Sequence, residues 1–337
     1  MFCCNNKELL PVLPQPIFRL ISKDLDKATE LLRSGQLVGI PTETVYGLAA
    51  NGCDSKAVAR IFDLKDRPRF DPVILHFSEP DRMEAFVQMD TGMAHSLFEA
   101  FSPGALTLLL PKTDKVPDIV TAGLPKVALR IPDHPMTLEL LRNLPFPLAA
   151  PSANLFGRTS PTRPKHVTDQ FGEELPLVLD GGACTVGVES TILDISGQRP
   201  VILRQGGIPQ EALEAYLGYA LESRGSSSKP EAPGMTHSHY SPGCPVVLME
   251  GRSFPGEGYR LGDRIICFKD PLEDVPEENQ IVLSARGDVR EAASHLFKAL
   301  HDASRHKPRV IWAECVPNEG VGRAINDRLR RAARAQN

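Results

Sequence analysis

The stretch Pro41-Thr42-Glu43-Thr44-Val45-Tyr46-Gly47-Leu48 sets two hydroxyls and a carboxylate directly after a short apolar run, where loop groups at a strand end can converge on a small polar ligand. A turn whose threonines bond their own backbone is the alternative. Lys65-Asp66-Arg67-Pro68-Arg69 brings three cations into five positions, enough to grip a triphosphate through lysine charge and forked arginine donors. Cations favoured by a helix C-terminus and left in water are the competing account. In residues 73–77, strand alternation sends Val73, Leu75 and Phe77 to one face and Ile74 and His76 to the other, so His76 faces either a pocket or a structural partner. Arg130 stands alone in the apolar run 127–131. A buried guanidinium needs an anion, supplied by a ligand carboxylate or by a protein one such as Asp133.

Farther along, an extended chain through Ala150-Pro151-Ser152-Ala153-Asn154 puts Ser152 and Asn154 on one side, ahead of the turn-like Gly157-Arg158-Thr159-Ser160-Pro161-Thr162. Hydroxyls and amides there suit phosphate oxygens, or form an ordinary polar turn. Glu189-Ser190-Thr191, read as strand, and Arg204-Gln205-Gly206-Gly207 add a hydroxyl and a cation beside glycines that would let a ligand approach the backbone. His237-Ser238-His239-Tyr240 offers two histidines without further spaced ligands, which favours a segment packing over a site above a zinc centre. Gly320-Val321-Gly322 reads as a turn before a helix and is assigned no catalysis.

Other observations exclude function classes. No Gly-x-x-x-x-Gly-Lys-Ser/Thr sequence occurs, so any nucleotide is held without a P-loop. Seven scattered cysteines with no Cys-x-x-Cys pair read as reduced thiols. A net charge of -4 argues against strong overall basicity as a means of holding nucleic acid, leaving RNA at most a local patch. No segment approaches the roughly 18 apolar residues of a membrane span, and Met1-Phe2-Cys3-Cys4-Asn5-Asn6 lacks the apolar core of a secretory signal, so the cytoplasm is the expected location.

These groups need elements to hold them. A chain of 337 residues predicts two domains. Helical spacing runs over 22–34, closed by Gly35, and a strand at 37–40 leads through the Thr-Glu-Thr loop to a second helix from Ser55. Further strands are predicted at 73–77, 106–110, 127–131, 148–150, 188–195 and 201–203, with helices near 84–101 and 209–222. The Ser/Pro/Gly/His-rich stretch 223–243 reads as an interdomain connector. Beyond it, strands at 246–249, 264–268, 281–283 and 310–312 alternate with helices at 289–304 and 321–335, forming a smaller α/β unit.

Taken in order, the Pro41–Leu48 motif, Lys65-x-Arg67-Pro68, Val127-Ala128-Leu129-Arg130, Pro151-Ser152-Ala153-Asn154, Glu189-Ser190-Thr191-Ile192 and Pro233-Gly234-Met235 through His239-Tyr240-Ser241-Pro242 resemble the long, two-domain Sua5 type of the Sua5/YrdC family. The resemblance implies a YrdC-like mixed, twisted-sheet catalytic domain at 1–222, a connector or lid at 223–243 and a Rossmann-like Sua5-type C-terminal domain at 244–337. It also implies synthesis of L-threonylcarbamoyladenylate from L-threonine, bicarbonate and ATP, with Mg2+ and release of pyrophosphate. That is the first step toward t6A at position 37 of tRNA, handed to a downstream threonylcarbamoyl transferase complex. By the same likeness Thr44, His76, Arg130, the Ala150 backbone and Ser190 hold threonine. Lys65, Arg67, Asp71, Lys126, Ser152, Asn154, Ser160, Arg204 and Tyr240 surround ATP, with Lys65 and Arg67 as the catalytic cations. Asp71 stands where the family usually has Asn, and a carboxylate there would repel phosphate unless Mg2+ or Arg69 compensates; Thr236 and Ser238 replace residues that are often basic. The alternatives are a carbamoyl-adenylate-forming enzyme fed by carbamoyl phosphate, and a non-catalytic module binding tRNA or double-stranded RNA.

Overall fold

The computed structural model describes residues 20–88, 92–224, 232, 239–256 and 258–335. Most of the connector, including Pro233-Gly234-Met235 and Thr236 to Ser238, lies outside the described residues, as do the first 19 residues and part of the helix expected near 84–101. In chain order the first unit comprises β1 (Ile21–Ser22), α1 (Leu25–Arg33), β2 (Val38–Ile40), β3 (Gly47–Asn51), α2 (Ser55–Lys65), β4 (Ile74–His76), α3 (Gly92–Phe101), β5 (Leu106–Pro111), α4 (Asp118–Thr121), β6 (Lys126–Arg130), α5 (Pro135–Asn143), β7 (Leu148–Ala149), α6 (Pro164–Phe171), β8 (Val178–Leu179), β9 (Thr191–Asp194), β10 (Val201–Arg204), α7 (Gln210–Leu217) and β11 (Glu222–Ser223). The second comprises β12 (Val246–Leu248), β13 (Arg264–Cys267), β14 (Gln280–Val282), α8 (Val289–Arg305), β15 (Ile311–Ala313) and α9 (Gly322–Arg334).

The first eleven strands form one mixed sheet in the order β1-β8-β2-β3-β7-β4-β6-β5-β9-β10-β11. The last four form a parallel sheet, β12-β15-β13-β14, flanked by α8 and α9. The α/β class expected from the alternating patterns is the one observed. No helix among the described residues is long and apolar enough to cross a membrane.

Local sequence explains the helices that matter for the site. Asp24 caps α1 through Lys27 N at 2.8 Å, Ala28, Leu31 and Leu32 are buried, and Gly35 leaves the helix at φ +75, a conformation that disfavours a Cβ. Helix α2 starts on the Asp54 carboxylate and buries Val58, Ile61, Phe62 and Lys65. Because Lys65 falls seven residues after Val58, it occupies the inward stripe and carries its ammonium into the interior. The parallel pairing of β4 with β6 sets His76 beside Arg130, and the antiparallel pairing of β5 sets Thr107 on the other side of Arg130. Val73, Leu75 and Phe77 enter the main core while Ile74 and His76 face the opposite side, as strand alternation predicts.

Candidate active site

The carboxyl ends of β4 and β6, the loop before β3, the start of β9 and the end of β10 meet at one pocket. It is lined by Thr42, Thr44, Arg67, His76, Arg130, Ala150, Ser152, Glu189, Ser190, Arg204, His239 and Tyr240, among others. The Thr-Glu-Thr loop uses both chemistries expected of it. Thr42 Oγ1 donates to Val45 O at 2.6 Å and accepts from the Val45 amide at 3.2 Å, which makes it the turn-former. Thr44, 2.8 Å from Thr42 Oγ1, lines the pocket.

Arg130 is buried and meets a protein carboxylate, but not the neighbouring Asp133. Its Nη2 donates to Glu43 Oε1 at 2.6 Å, and Asp133 is exposed. The loop folds Glu43 back over β6, a contact across 87 residues that local sequence does not display. The other Glu43 oxygen has no donor among the described residues. Beside this pair, burial first and the Arg130 charge second press His76 down to a pKa of about 3, so its ring is neutral; its Nδ1 has no partner among the described residues.

Across Thr107 in the same sheet, Arg204 donates to the Ser190 carbonyl at 3.0 Å through Nε and to Ser190 Oγ at 3.0 Å through Nη2, while Ser190 Oγ lies 2.7 Å from Thr107 Oγ1. Burial lowers Arg204 to about 10, which leaves it a cation at neutral pH. Glu189 and Ser190 both line the pocket because they precede β9 rather than belonging to it; the strand expected from 188 would have separated them by alternation. Gly206 does not open the backbone to a ligand. It packs beneath this turn, where a Cβ would lie 2.3 Å from the Ser190 carbonyl carbon.

The basic cluster divides sharply. Arg67 lines the pocket, with Nη2 donating to Pro72 O at 2.8 Å and lying 2.9 Å from Asp71 Oδ2. Asp71 is fully buried; burial pushes its carboxyl up and Arg67 is the foremost charge opposing that. Its compensating cation is therefore Arg67. Arg69, expected in that role, is largely exposed and only 3.8 Å from Asp63. Lys65 Nζ donates to Ser152 O at 2.5 Å and also to Asn154 O, and burial holds its pKa well below the usual lysine range. The chain is not extended through these acceptors. Asn154 N–H returns to Ser152 O at 3.0 Å, so Ser152 lines the pocket while the Asn154 amide turns to Leu155 O at 2.8 Å and Arg158 O at 2.9 Å.

Two further candidates stand apart from the lining. Lys126 opens β6 at the end opposite Arg130, roughly 13 Å away at strand rise, and pairs with Asp194 at 2.8 Å; alternation leaves it on the same face of the strand as Arg130, and the distance along β6 takes it out of the pocket. Ser160 is buried behind the wall, donating to Glu189 Oε1 at 2.6 Å.

The connector's end covers the site. Tyr240, at φ +71, is buried, stacks on Phe297 of α8 with centroids 5.4 Å apart, and accepts a hydrogen bond on its carbonyl from Thr159 Oγ1 at 3.1 Å. His239 shares the lining, kept neutral by burial and by Arg331. The sequence offers Glu43 and Glu189 only as members of their motifs and His239 only within a segment packing over a site, with no individual role, and it points to no site role for the arginines of α9. Of these only Arg328 carried a visible signal: it falls three residues after Ile325 and four before Ala332, on an apolar helical stripe.

Such a fold and pocket define an α/β protein with a buried, arginine-lined site at its strand ends. Two family models match: one described as telomere recombination (Sua5, YciO and YrdC) over residues 30–206, and one described as threonylcarbamoyl-AMP synthase, C-terminal domain, over residues 208–334. The Pyrococcus abyssi threonylcarbamoyl-AMP synthase is 39% identical over 318 residues, covering 91% of this chain and 93% of that protein. The Bacillus subtilis threonylcarbamoyl-AMP synthase is 38% identical over 91% of this chain and 92% of its own length. The crystal structure of P. abyssi Sua5 complexed with L-threonine superposes with a TM-score of 0.85 at 35% identity, covering 94% of this chain and 98% of that one. The chain belongs to the Sua5 family of threonylcarbamoyl-AMP synthases.

Proposed function

We propose that this chain joins L-threonine, bicarbonate and ATP into L-threonylcarbamoyladenylate, releasing pyrophosphate and water. The observation that carries the reading is the convergence of Arg130, Arg204, Arg67 and the Thr44 and Ser190 hydroxyls on one buried pocket with a neutral His76 between them, in a chain whose relatives are named for that product. Arg130 anchors the threonine carboxylate, with Thr44, His76, Ser190 and the Ala150 backbone completing that subsite. The solved relative with bound L-threonine supports this side of the reading.

The threonine amine takes up carbon from bicarbonate, forming the N–C bond with loss of water. A carbamate oxygen then attacks the α-phosphorus as the bond to the β-phosphate bridging oxygen breaks, and pyrophosphate leaves with that electron pair. Arg67, Arg204 and Lys65 stabilise charge on the phosphoryl oxygens, without a covalent enzyme intermediate. Lys65 reaches that charge by exchanging its carbonyl partners at 152 and 154 for phosphate; Ser152, Asn154 and Ser160 complete the nucleotide wall, and Asp71 tunes it through Arg67. Mg2+ enters with ATP as part of the substrate and neutralises polyphosphate charge. The Asp71 and Asn154 Oδ1 atoms, acceptors with no donor among the described residues, fit a hard cation's preference for oxygen. No group of three His, Cys, Asp or Glu side chains that could hold a metal occurs among those residues, and the substrate phosphates would supply further oxygen ligands.

Carbamates and adenylates hydrolyse readily, and a cover over the site limits that loss. Tyr240 and His239, which share the pocket lining, serve as this cover, and their movement admits the nucleotide. The product passes to a transferase that modifies position 37 of tRNA, in the cytoplasm, a compartment with which the free thiols of Cys53, Cys184, Cys244, Cys267 and Cys315 accord. The test is pyrophosphate release from MgATP and bicarbonate, with and without L-threonine and with EDTA. Release that needs threonine and metal supports the reading, and no release while tRNA still binds replaces it with an RNA-binding role.

A further inference from the structure

Arg328 projects from α9 of the second unit and is fully buried. Its Nε donates to Glu189 Oε2 at 3.0 Å, its Nη1 reaches Asp327 at 2.7 Å, and its guanidinium carbon lies 5.4 Å from the centre of the Tyr240 ring. Arg331, one turn on, lies 5.1 Å from the same ring. Glu189 belongs to the pocket wall and Tyr240 to its cover, so one side chain of the second unit touches both. The hydrophobic core agrees, since Val45, Val188 and Tyr240 pack in the same cluster as Leu296, Phe297 and Ile325.

We infer that Arg328 is a positioning residue through which the C-terminal domain governs nucleotide binding, by holding the Glu189 carboxylate in the pocket wall and the Tyr240 ring in the cover at once. This rests on the proposed ATP-dependent reaction. A buried carboxylate beside a polyphosphate repels it unless a fixed cation balances the charge. Burial pushes Glu189 upward, yet Arg328 first, then Arg204 and the Ser160 hydroxyl, hold it below the usual carboxylate range. The groups facing this cluster are Arg204 from β10, Asp327, Arg328 and Arg331 from α9, and Tyr240 and His239 from the cover. With Arg328 removed, Glu189 stays ionised at high pH without its main partner and becomes neutral as pH falls.

Arg328→Met and Arg328→Lys in the full chain test this. Pyrophosphate release between pH 5.5 and 8.5 yields kcat and KM for MgATP, calorimetry yields threonine affinity, and thermal unfolding is followed in parallel. Arg328→Met is expected to raise KM for MgATP about tenfold or more at high pH, with a smaller rise toward acid pH as Glu189 is protonated. Threonine affinity stays within about twofold, and Arg328→Lys, which keeps the cation but loses the fork, gives an intermediate KM. A lower unfolding temperature with KM unchanged at every pH overturns the inference, as does parallel loss of threonine and MgATP affinity. Should Arg328→Met be unfolded at the assay temperature, Arg328→Lys decides: an unchanged KM overturns the inference, and a raised KM upholds it. If the wild-type chain releases no pyrophosphate, the reaction reading fails by itself. The Glu189 coupling is then read from unfolding. In Arg328→Met the Glu189 pKa rises above its wild-type value, so stability relative to wild type falls as pH rises through that range, and a flat difference overturns it.

Discussion

Replacing Arg130 by Met separates its ion pair with Glu43 from the anchoring of the threonine carboxylate proposed for it. Its side chain is 4% exposed and lies 2.6 Å from Glu43, itself 6% exposed. Removing the cation leaves that carboxylate buried without its partner, which costs about 3–5 kcal/mol of stability. Removing the charge-assisted bonds to the threonine carboxylate costs about 1.5–3 kcal/mol of binding, roughly 10- to 150-fold in affinity. The double variant Arg130→Met/Glu43→Gln distinguishes them. It buries no charge at this spot and returns to within about 1–2 kcal/mol of wild-type stability, whereas threonine affinity stays low. Urea unfolding and calorimetry with L-threonine measure the two quantities. Wild-type threonine affinity in the double variant, or an unchanged urea midpoint in Arg130→Met, would refute the reasoning.

Lys65→Met removes a cation proposed to act on the nucleotide alone, so kcat for pyrophosphate release should fall about 100-fold or more while calorimetry finds threonine affinity nearly unchanged. Tyr240→Phe keeps the ring between Phe297 and the two arginines and should hold kcat/KM for MgATP within about threefold, whereas Tyr240→Ala removes the ring and should raise KM about tenfold or more. His76 is depressed to about 3, so the unfolded chain binds a proton below its ordinary pKa that the folded chain refuses. Stability is therefore lost as pH falls from about 6.5 toward 3, by up to about 1.4 kcal/mol per pH unit. The slope in urea unfolding against pH should be shallower in His76→Asn.

Much of the site was legible because alternation and helical periodicity are local. His76 and Ile74 face the pocket as the period of two requires, and Lys65 enters the interior because it continues the apolar stripe of α2. What the sequence hid depends on long-range register and on turns. The partner of Arg130 arrives from a loop 87 residues away, and Lys126, four residues from Arg130 on one strand, is carried to the far end. Asn154 leaves Ser152's side because the chain turns where Pro151 and Ala153 suggested extension. Helices α5 and α6 begin with Pro135 and Pro164 in their first turn, a start signal easily taken for loop. Arg328 was readable as a cation on an apolar stripe, but its carboxylate lies 139 residues upstream in the other unit.

The most direct test of the central claim is mass detection of the product formed from L-threonine, isotopically labelled bicarbonate and MgATP, with pyrophosphate counted alongside. The expected product is an AMP adduct of threonine carrying the labelled carbon, formed one-for-one with pyrophosphate. An unlabelled adduct, or orthophosphate and ADP in place of pyrophosphate, would contradict it.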